Sequence, residues 1–255
     1  MQLRGKRLWL IGASTGIGAA LAPDLVREGV LLAISSRNEA ELNNVADAAG
    51  RFGARPLVKP LDVLDPEAVK RVHAELAAGW GRIDVLFYNA GTWLQARVED
   101  FDAENAARQV EVNLIGMMRA VGTVLPDMVS KREGQIVGMA SVAGYRGYPR
   151  AAGYSSSKAG AIAFLQSIRM ELKRYSVGVT TVNPGFVKTP LTDLNHFSMP
   201  FMISAEEASR AIIEGLLKGD TEIHFPKRLS WPLKLVTALP APLYEFLARH
   251  FMRRY

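Results

Sequence analysis

The chain of 255 residues contains no cysteine. That absence excludes a disulfide framework, thiol catalysis and cysteine-ligated zinc or iron–sulfur sites. It also favours a reducing compartment, so the cytoplasm is the expected location. Histidine is scarce. His73, His196, His224 and His250 are the only four, no two stand at metal-ligand spacing, and no metal site is expected. Long apolar runs are missing as well. After Arg4, Lys6 and Arg7 the first apolar run is only Leu8 to Ile11, too short for a secretory signal. No stretch approaches the roughly 18 apolar residues of a membrane span. Acidic residues are nearly absent from the C-terminal end. Residues 227–255 hold six basic side chains (Lys227, Arg228, Lys234, Arg249, Arg253, Arg254) and one acid, Glu245, so five of the six net positive charges lie there. The rest of the chain is close to neutral, which argues against nucleic acid as a partner.

What is present is ample material for a core: 49% of residues are hydrophobic and 22% charged. The length suits one α/β domain better than two. Apolar strand-like runs at 8–12, 30–35, 55–61, 83–89, 135–141, 178–184 and 221–226 alternate with helical patterns at 16–28, 39–50, 66–78, 103–126, 152–175 and 204–217. Asp65 with Pro66 after it, and Ser204 with Glu207, read as helix starts. Continuously apolar strands alternating with helices imply a parallel sheet covered on both faces.

The junction of the first strand and helix reads GASTGIG (12–18). Glycines there let the backbone turn sharply and approach a pyrophosphate, and the helix start offers free N–H groups to it. Gly12, Ser14, Thr15, Gly16, Ile17 and Gly18 are therefore candidate cofactor contacts. An acid at the end of the second strand would bind a ribose 2′-hydroxyl and repel a 2′-phosphate. This chain has Ser36 and Arg37 instead, and a guanidinium pairs with phosphate. NADP(H) is the preferred cofactor on that ground, with NAD(H) as the alternative. Asp62, with Val63 beside it, ends the third strand at the expected adenine pocket. Asp65 starts the next helix, which leaves Asp62 for the ligand.

Tyr154 and Lys158 are four residues apart on a predicted helix and share one face. Ser141 ends the preceding strand, where open parallel sheets bind ligands. Interconverting an alcohol and a ketone requires a proton donor or acceptor beside the hydride carrier. A free tyrosine, with a pKa of about 10, needs a nearby ammonium to serve as a base near neutral pH. Tyr154 is thus the candidate acid/base, Lys158 its tuner and a ribose contact, and Ser141 a donor to the substrate oxygen.

The order and spacing of these motifs resemble the short-chain dehydrogenase/reductase family over residues 7–226. YNAG (88–91) is similar to the family's N-N-A-G strand end, with Tyr88 in place of the first asparagine, and adds Asn89, Ala90 and Gly91 to the cofactor set. Asn113 stands where the family has a helix asparagine that kinks the helix and holds a proton-relaying water. NPGFVKT (183–189) resembles the segment under the nicotinamide, with Pro184, Gly185, Val187 and Thr189 as contacts. The resemblance implies a Rossmann-type doubly wound sheet of seven strands in the order 3-2-1-4-5-6-7. It further implies oxidoreduction of an alcohol or ketone, with a homodimer or homotetramer expected.

Trp93, Tyr145, Tyr148, Phe197, Met199, Phe201 and Met202 fall in segments that should rim the substrate pocket and suggest an apolar or ring-bearing substrate. His196 reads as a solvated loop residue. The chain divides into a catalytic domain, 1–226, and a basic C-terminal extension, 227–255. In the extension Leu243, Phe246, Leu247 and Phe251 fall on one helical face. That face caps the pocket, packs on a subunit, extends the core, or lies on an anionic membrane surface. The rival readings of function are a catalytically silent nucleotide-binding scaffold and a membrane-surface module.

Overall fold

The computed structural model describes residues 1–193 and 198–252, with the backbone alone from 249 on. Seven strands form one parallel sheet: β1 (Arg7–Ile11), β2 (Leu31–Ser35), β3 (Leu57–Val58), β4 (Val85–Tyr88), β5 (Gly134–Met139), β6 (Val177–Pro184) and β7 (Glu222–Phe225). Their order is β3-β2-β1-β4-β5-β6-β7, as the motifs implied. Side chains alternate across the sheet as strand geometry requires. Leu8 and Leu10 of β1 enter the apolar cluster on one face, and Trp9 and Ile11 the cluster on the other. Helices α1 (Gly16–Arg27) and α2 (Glu39–Gly50) cover the first face with α7 (Ala205–Lys218). Helices α3 (Pro66–Trp80), α5 (Gly116–Lys131) and α6 (Ala152–Leu172) cover the second.

Local signals set the helix starts. Asp65 Oδ1 accepts from the N–H groups of Glu67 and Ala68, and Ser204 and Glu207 cap one another reciprocally. The third strand is shorter than its apolar run over 55–61, because Pro56 and Pro60 bracket Leu57–Val58 and have no N–H for the ladder. The fourth helical pattern runs on through Pro126 to Lys131. It begins as α4 (Ala103–Val110) and widens into a π-helical turn over Glu111–Ile115 before α5. This continuous helix is long and apolar enough to cross a membrane, but Met117, Ala120, Val121, Val124 and Met128 are buried in the core.

The C-terminal residues depart furthest from the sequence reading. A helix α8 (Lys227–Thr237) follows β7 despite Pro232 within it, and α9 (Ala241–Met252) comes after Pro240. Of the expected apolar face of α9, Leu243 and Phe246 are exposed in the single chain and Leu247 is half-buried. Leu243 is 46% and Phe246 65% exposed, whereas Tyr244 is 9% exposed. Tyr244 turns inward because its hydroxyl donates to the Gly147 carbonyl at 2.6 Å and its ring lies 4.6 Å from the Arg146 guanidinium carbon. The side chains of Phe251, Arg249, Arg253 and Arg254 lie outside the described residues, as do His196 and Phe197.

Candidate active site

Between β1 and α1 the chain turns with Gly12 at φ +90°, and the backbone of Ala90 fills the space a Cβ would need. At Gly18 a Cβ would meet the Gly12 carbonyl and the Asn89 amide. These two glycines are demanded by close approach as well as by the turn. Asn89 Nδ2 donates to the Gly12 carbonyl at 2.5 Å and ties the ends of β1 and β4 together. The Thr189 side chain packs against Gly16 from the far side.

These segments enclose a cavity of about 740 Å³. The candidate residues that line it are Gly12, Ser14, Thr15, Gly16 and Ile17; Ser36 and Arg37; Asp62 and Val63; Asn89, Ala90 and Gly91; Ser141, Tyr154 and Lys158; and Pro184, Gly185, Val187 and Thr189. Gly18 lies beneath the loop and Asn113 behind the wall. Sequence reasoning did not single out Leu64, Thr92, Arg108 or Val112, which also line the cavity. Arg37 is exposed there, and the neighbouring Ser36 hydroxyl is buried with no hydrogen-bond partner among the described residues. Asp65 caps the next helix as expected, and Asp62 stands in the turn before it. Asp62 Oδ1 accepts from Leu64 N at 3.0 Å, so it shapes the turn while also lining the cavity, four residues beyond the end of β3.

Lys158 is 3% exposed. Its Nζ donates to the Met139 carbonyl at 2.9 Å and stands 5.7 Å from the centre of the Tyr154 ring. Burial lowers Lys158 to a pKa of about 8. Burial also pushes the Tyr154 phenol up, and the Ser141 hydroxyl offsets part of that rise. The expected net lowering of Tyr154 by the lysine is therefore corrected: desolvation is the larger effect. Ser141 caps a 3₁₀ turn over Val142–Gly144, accepting from Ala143 N at 3.1 Å and donating to the Pro184 carbonyl at 3.3 Å. Gly144 lets this turn lie against the Lys158 backbone of α6.

Asn113, fully buried, sits in the π-helical turn. Its Oδ1 accepts from Thr92 N at 2.8 Å, and its Nδ2 donates to Thr92 O at 3.0 Å and Ser157 Oγ at 2.9 Å. Ser157 in turn donates to the Tyr154 carbonyl at 2.7 Å. No local pattern marks Ser157, because its partner is 44 residues away. Tyr88, the departure from the family pattern, supports the same turn: its hydroxyl donates to the Val112 carbonyl at 2.6 Å.

The expected rim is only partly assembled. Trp93 stands edge-on to Tyr154 with ring centroids 5.0 Å apart. Tyr145 instead points its hydroxyl at Glu222, and Phe201 and Met202 are 53% and 38% exposed. None of Trp93, Tyr145, Tyr148, Met199, Phe201 and Met202 lines the cavity itself, although Trp93 meets Tyr154, which does; Phe197 lies outside the described residues.

The profile of the short chain dehydrogenase family matches residues 6–196. An uncharacterized oxidoreductase of Myxococcus xanthus is 36% identical over 239 residues, covering 93% of this chain and 94% of its own. A 3-oxoacyl-[acyl-carrier-protein] reductase of Thermotoga maritima is 32% identical over 193 residues, or 76% and 78% of the two chains. Among solved structures, a short chain dehydrogenase from Burkholderia cenocepacia in complex with NADP superposes with a TM-score of 0.83 at 26% identity, covering 97% of this chain and 99% of that one. An actinorhodin polyketide ketoreductase variant with NADPH has a TM-score of 0.80 at 26% identity over 88% and 97%. With a glycine loop, strand order and cavity of this kind, and a profile match over most of its length, the chain belongs to the short-chain dehydrogenase family and is an oxidoreductase acting on CH–OH or keto groups.

Proposed function

We propose that this enzyme is an NADP(H)-dependent ketone reductase and alcohol dehydrogenase in which Tyr154 carries the proton. The observation that carries the reading is that Ser141, Tyr154 and Lys158 line the same cavity as the glycine loop and Arg37. The residues fit a dinucleotide phosphate. The start of α1 has no acid in its first turn, and an unpartnered buried hydroxyl at Ser36 adjoins Arg37. Gly12 to Gly18 would hold the pyrophosphate, and Ser36 and Arg37 the 2′-phosphate, which NAD(H) lacks. Asp62 and Val63 would adjoin the adenine, Asn89 to Gly91 and Lys158 the ribose, and Pro184, Gly185, Val187 and Thr189 the nicotinamide end. The NADP and NADPH held by two structural relatives support this choice.

When bound, the nicotinamide gives or takes the hydride. Ser141 Oγ turns from the Pro184 carbonyl to donate to the substrate oxygen, and Tyr154 passes its phenolic proton to that oxygen as the carbonyl becomes an alcohol; in oxidation the phenolate takes the proton back. A phenol pushed upward by burial holds its proton at neutral pH, which suits reduction. The Lys158 ammonium stabilises the phenolate left behind, and Asn113 fixes the Thr92 backbone and Ser157 around it. Trp93, edge-on to Tyr154, favours an apolar or ring-bearing carbonyl compound. The test is a panel of ketones and alcohols with NADPH and NADP⁺. Tyr154→Phe should lower kcat about a thousandfold or more while NADPH still binds. A variant that retains most of its turnover would remove Tyr154 from this role.

A further inference from the structure

The inner faces of the C-terminal helices meet the floor of this site. Leu229 of α8 packs directly on Gly185. Arg146 donates to the Thr237 and Leu239 carbonyls at 2.7 and 3.1 Å, and Tyr244 donates to Gly147. At the centre of these contacts is one carboxylate. Glu222, the first residue of β7, accepts on Oε1 from Tyr145 Oη at 3.0 Å and from Asn183 Nδ2 at 2.8 Å, and on Oε2 from Lys234 Nζ at 2.8 Å. The donors come from three places. Tyr145 ends the turn that Ser141 caps, Asn183 immediately precedes Pro184 and Gly185, and Lys234 belongs to α8.

The chemistry of the cluster makes it a stiff junction. Burial alone would push Glu222 up, but Lys234, Asn183 and Tyr145 together hold it below the usual carboxylate range, so it is ionised at neutral pH. Burial and the Glu222 charge push the Tyr145 phenol up, so it keeps its proton and directs it at the carboxylate. Asn183 is 1% exposed, and its Oδ1 has no hydrogen-bond partner among the described residues. Flipping the amide would set two acceptors against each other, so the carboxylate fixes its orientation. Hydrogen bonds to a charged acceptor are shorter and stronger than neutral ones. The two tied segments also touch in front of the junction, where Ser141 Oγ meets the Pro184 carbonyl.

We propose that Glu222 is a positioning residue: it ties the turn after Ser141 and the strand end before Pro184 to α8, so that the C-terminal helices set the geometry in which a carbonyl substrate is held. The substrate half of this statement rests on the function proposed above.

The experiment compares the full-length parent with Tyr145→Phe, Glu222→Gln, Lys234→Met and Lys234→Arg. It reads ketone kinetics, NADPH affinity by fluorescence, melting temperature, and hydrogen exchange of the NADPH-bound protein. Tyr145→Phe and Glu222→Gln should each raise KM for ketones about three- to tenfold, the net size of one ordinary hydrogen bond because the junction acts on the substrate only through the two segments, with a smaller change in NADPH affinity. Exchange should quicken in segments 141–148 and 183–187 and not in 12–18. Lys234→Met should behave likewise and Lys234→Arg should restore the parent values. Adding Tyr145→Phe to Glu222→Gln should have little further effect. Parent-like KM and exchange in both segments, with only the melting temperature lowered, would overturn the proposal. If the parent turns over no ketone, the proposed activity fails instead. Exchange then still decides the tie: quickening in both segments supports it, and unchanged exchange refutes it.

Discussion

Replacing Tyr88 by phenylalanine removes a single oxygen from a fully buried ring. That oxygen donates to the Val112 carbonyl at 2.6 Å, within the helical stretch that carries Asn113. The ring still fills its space, so the cost is the net loss of one buried hydrogen bond, about 0.5–1.5 kcal/mol. For a chain of this length that lowers Tm by roughly 1–6 °C. The same oxygen occupies the place a Cβ on Gly116 would need, with Val63 Cβ 3.2 Å from that point on another side. Gly116→Ala in the parent therefore overpacks the site and should cost about 1–3 kcal/mol, against a helix-propensity gain of about 1 kcal/mol. With phenylalanine at position 88 the main obstacle is gone, and only Val63 must yield by a few tenths of an ångström. The alanine should then be close to neutral. Denaturant unfolding of the four proteins of this double-mutant cycle measures the coupling directly. Additive effects within about 0.5 kcal/mol would refute the claim that the phenol oxygen and Gly116 share one space.

Three further outcomes follow from the site. Arg37→Ala should reduce the preference for NADPH over NADH about ten- to hundredfold, the worth of a guanidinium–phosphate bond; equal efficiency of the parent with both cofactors would contradict the assignment. Lys158 titrates near pH 8 when folded and near 10.5 when unfolded. Between those values the unfolded chain binds more protons, so folding gains stability as pH rises through that window. The stability difference between the parent and Lys158→Met, from denaturant unfolding at pH 8, 9 and 10, should move in the parent's favour; a flat difference would refute the shift. Deleting residues 242–255 removes Tyr244 from the Gly147 carbonyl and should raise KM for bulky ketones more than it weakens NADPH binding. Light scattering and liposome flotation of the same truncation test whether exposed Leu243 and Phe246 serve a subunit contact or a membrane surface, and a wholly unchanged protein would leave α9 without either role.

Much of the molecule was legible in the chain. Strand–helix alternation, the caps at Asp65 and Ser204, and the glycine loop are short-range features whose physics is complete within a few residues. The sequence order of Gly12, Ser141, Tyr154 and Lys158 sufficed to place them on one cavity, because a parallel sheet brings the ends of its strands to the same edge. What the chain did not disclose depends on partners distant in sequence. The relation of Ser157 to Asn113, and of Tyr88 to Val112, exists only once α6 and the π-helical turn are packed. The pKa of Tyr154 could not be read from its spacing to Lys158, since spacing reports the nearby charge and burial reports the larger effect. The inward turn of Tyr244, in place of Leu243 and Phe246, has the same origin. Helical periodicity measures how apolar a face is, whereas burial went to the side chain whose hydroxyl could reach Gly147 and whose ring could meet Arg146. Local propensity and pattern determined the elements and their order; the tertiary structure alone decided which polar groups found partners, because a buried hydrogen bond requires both ends to arrive at one place.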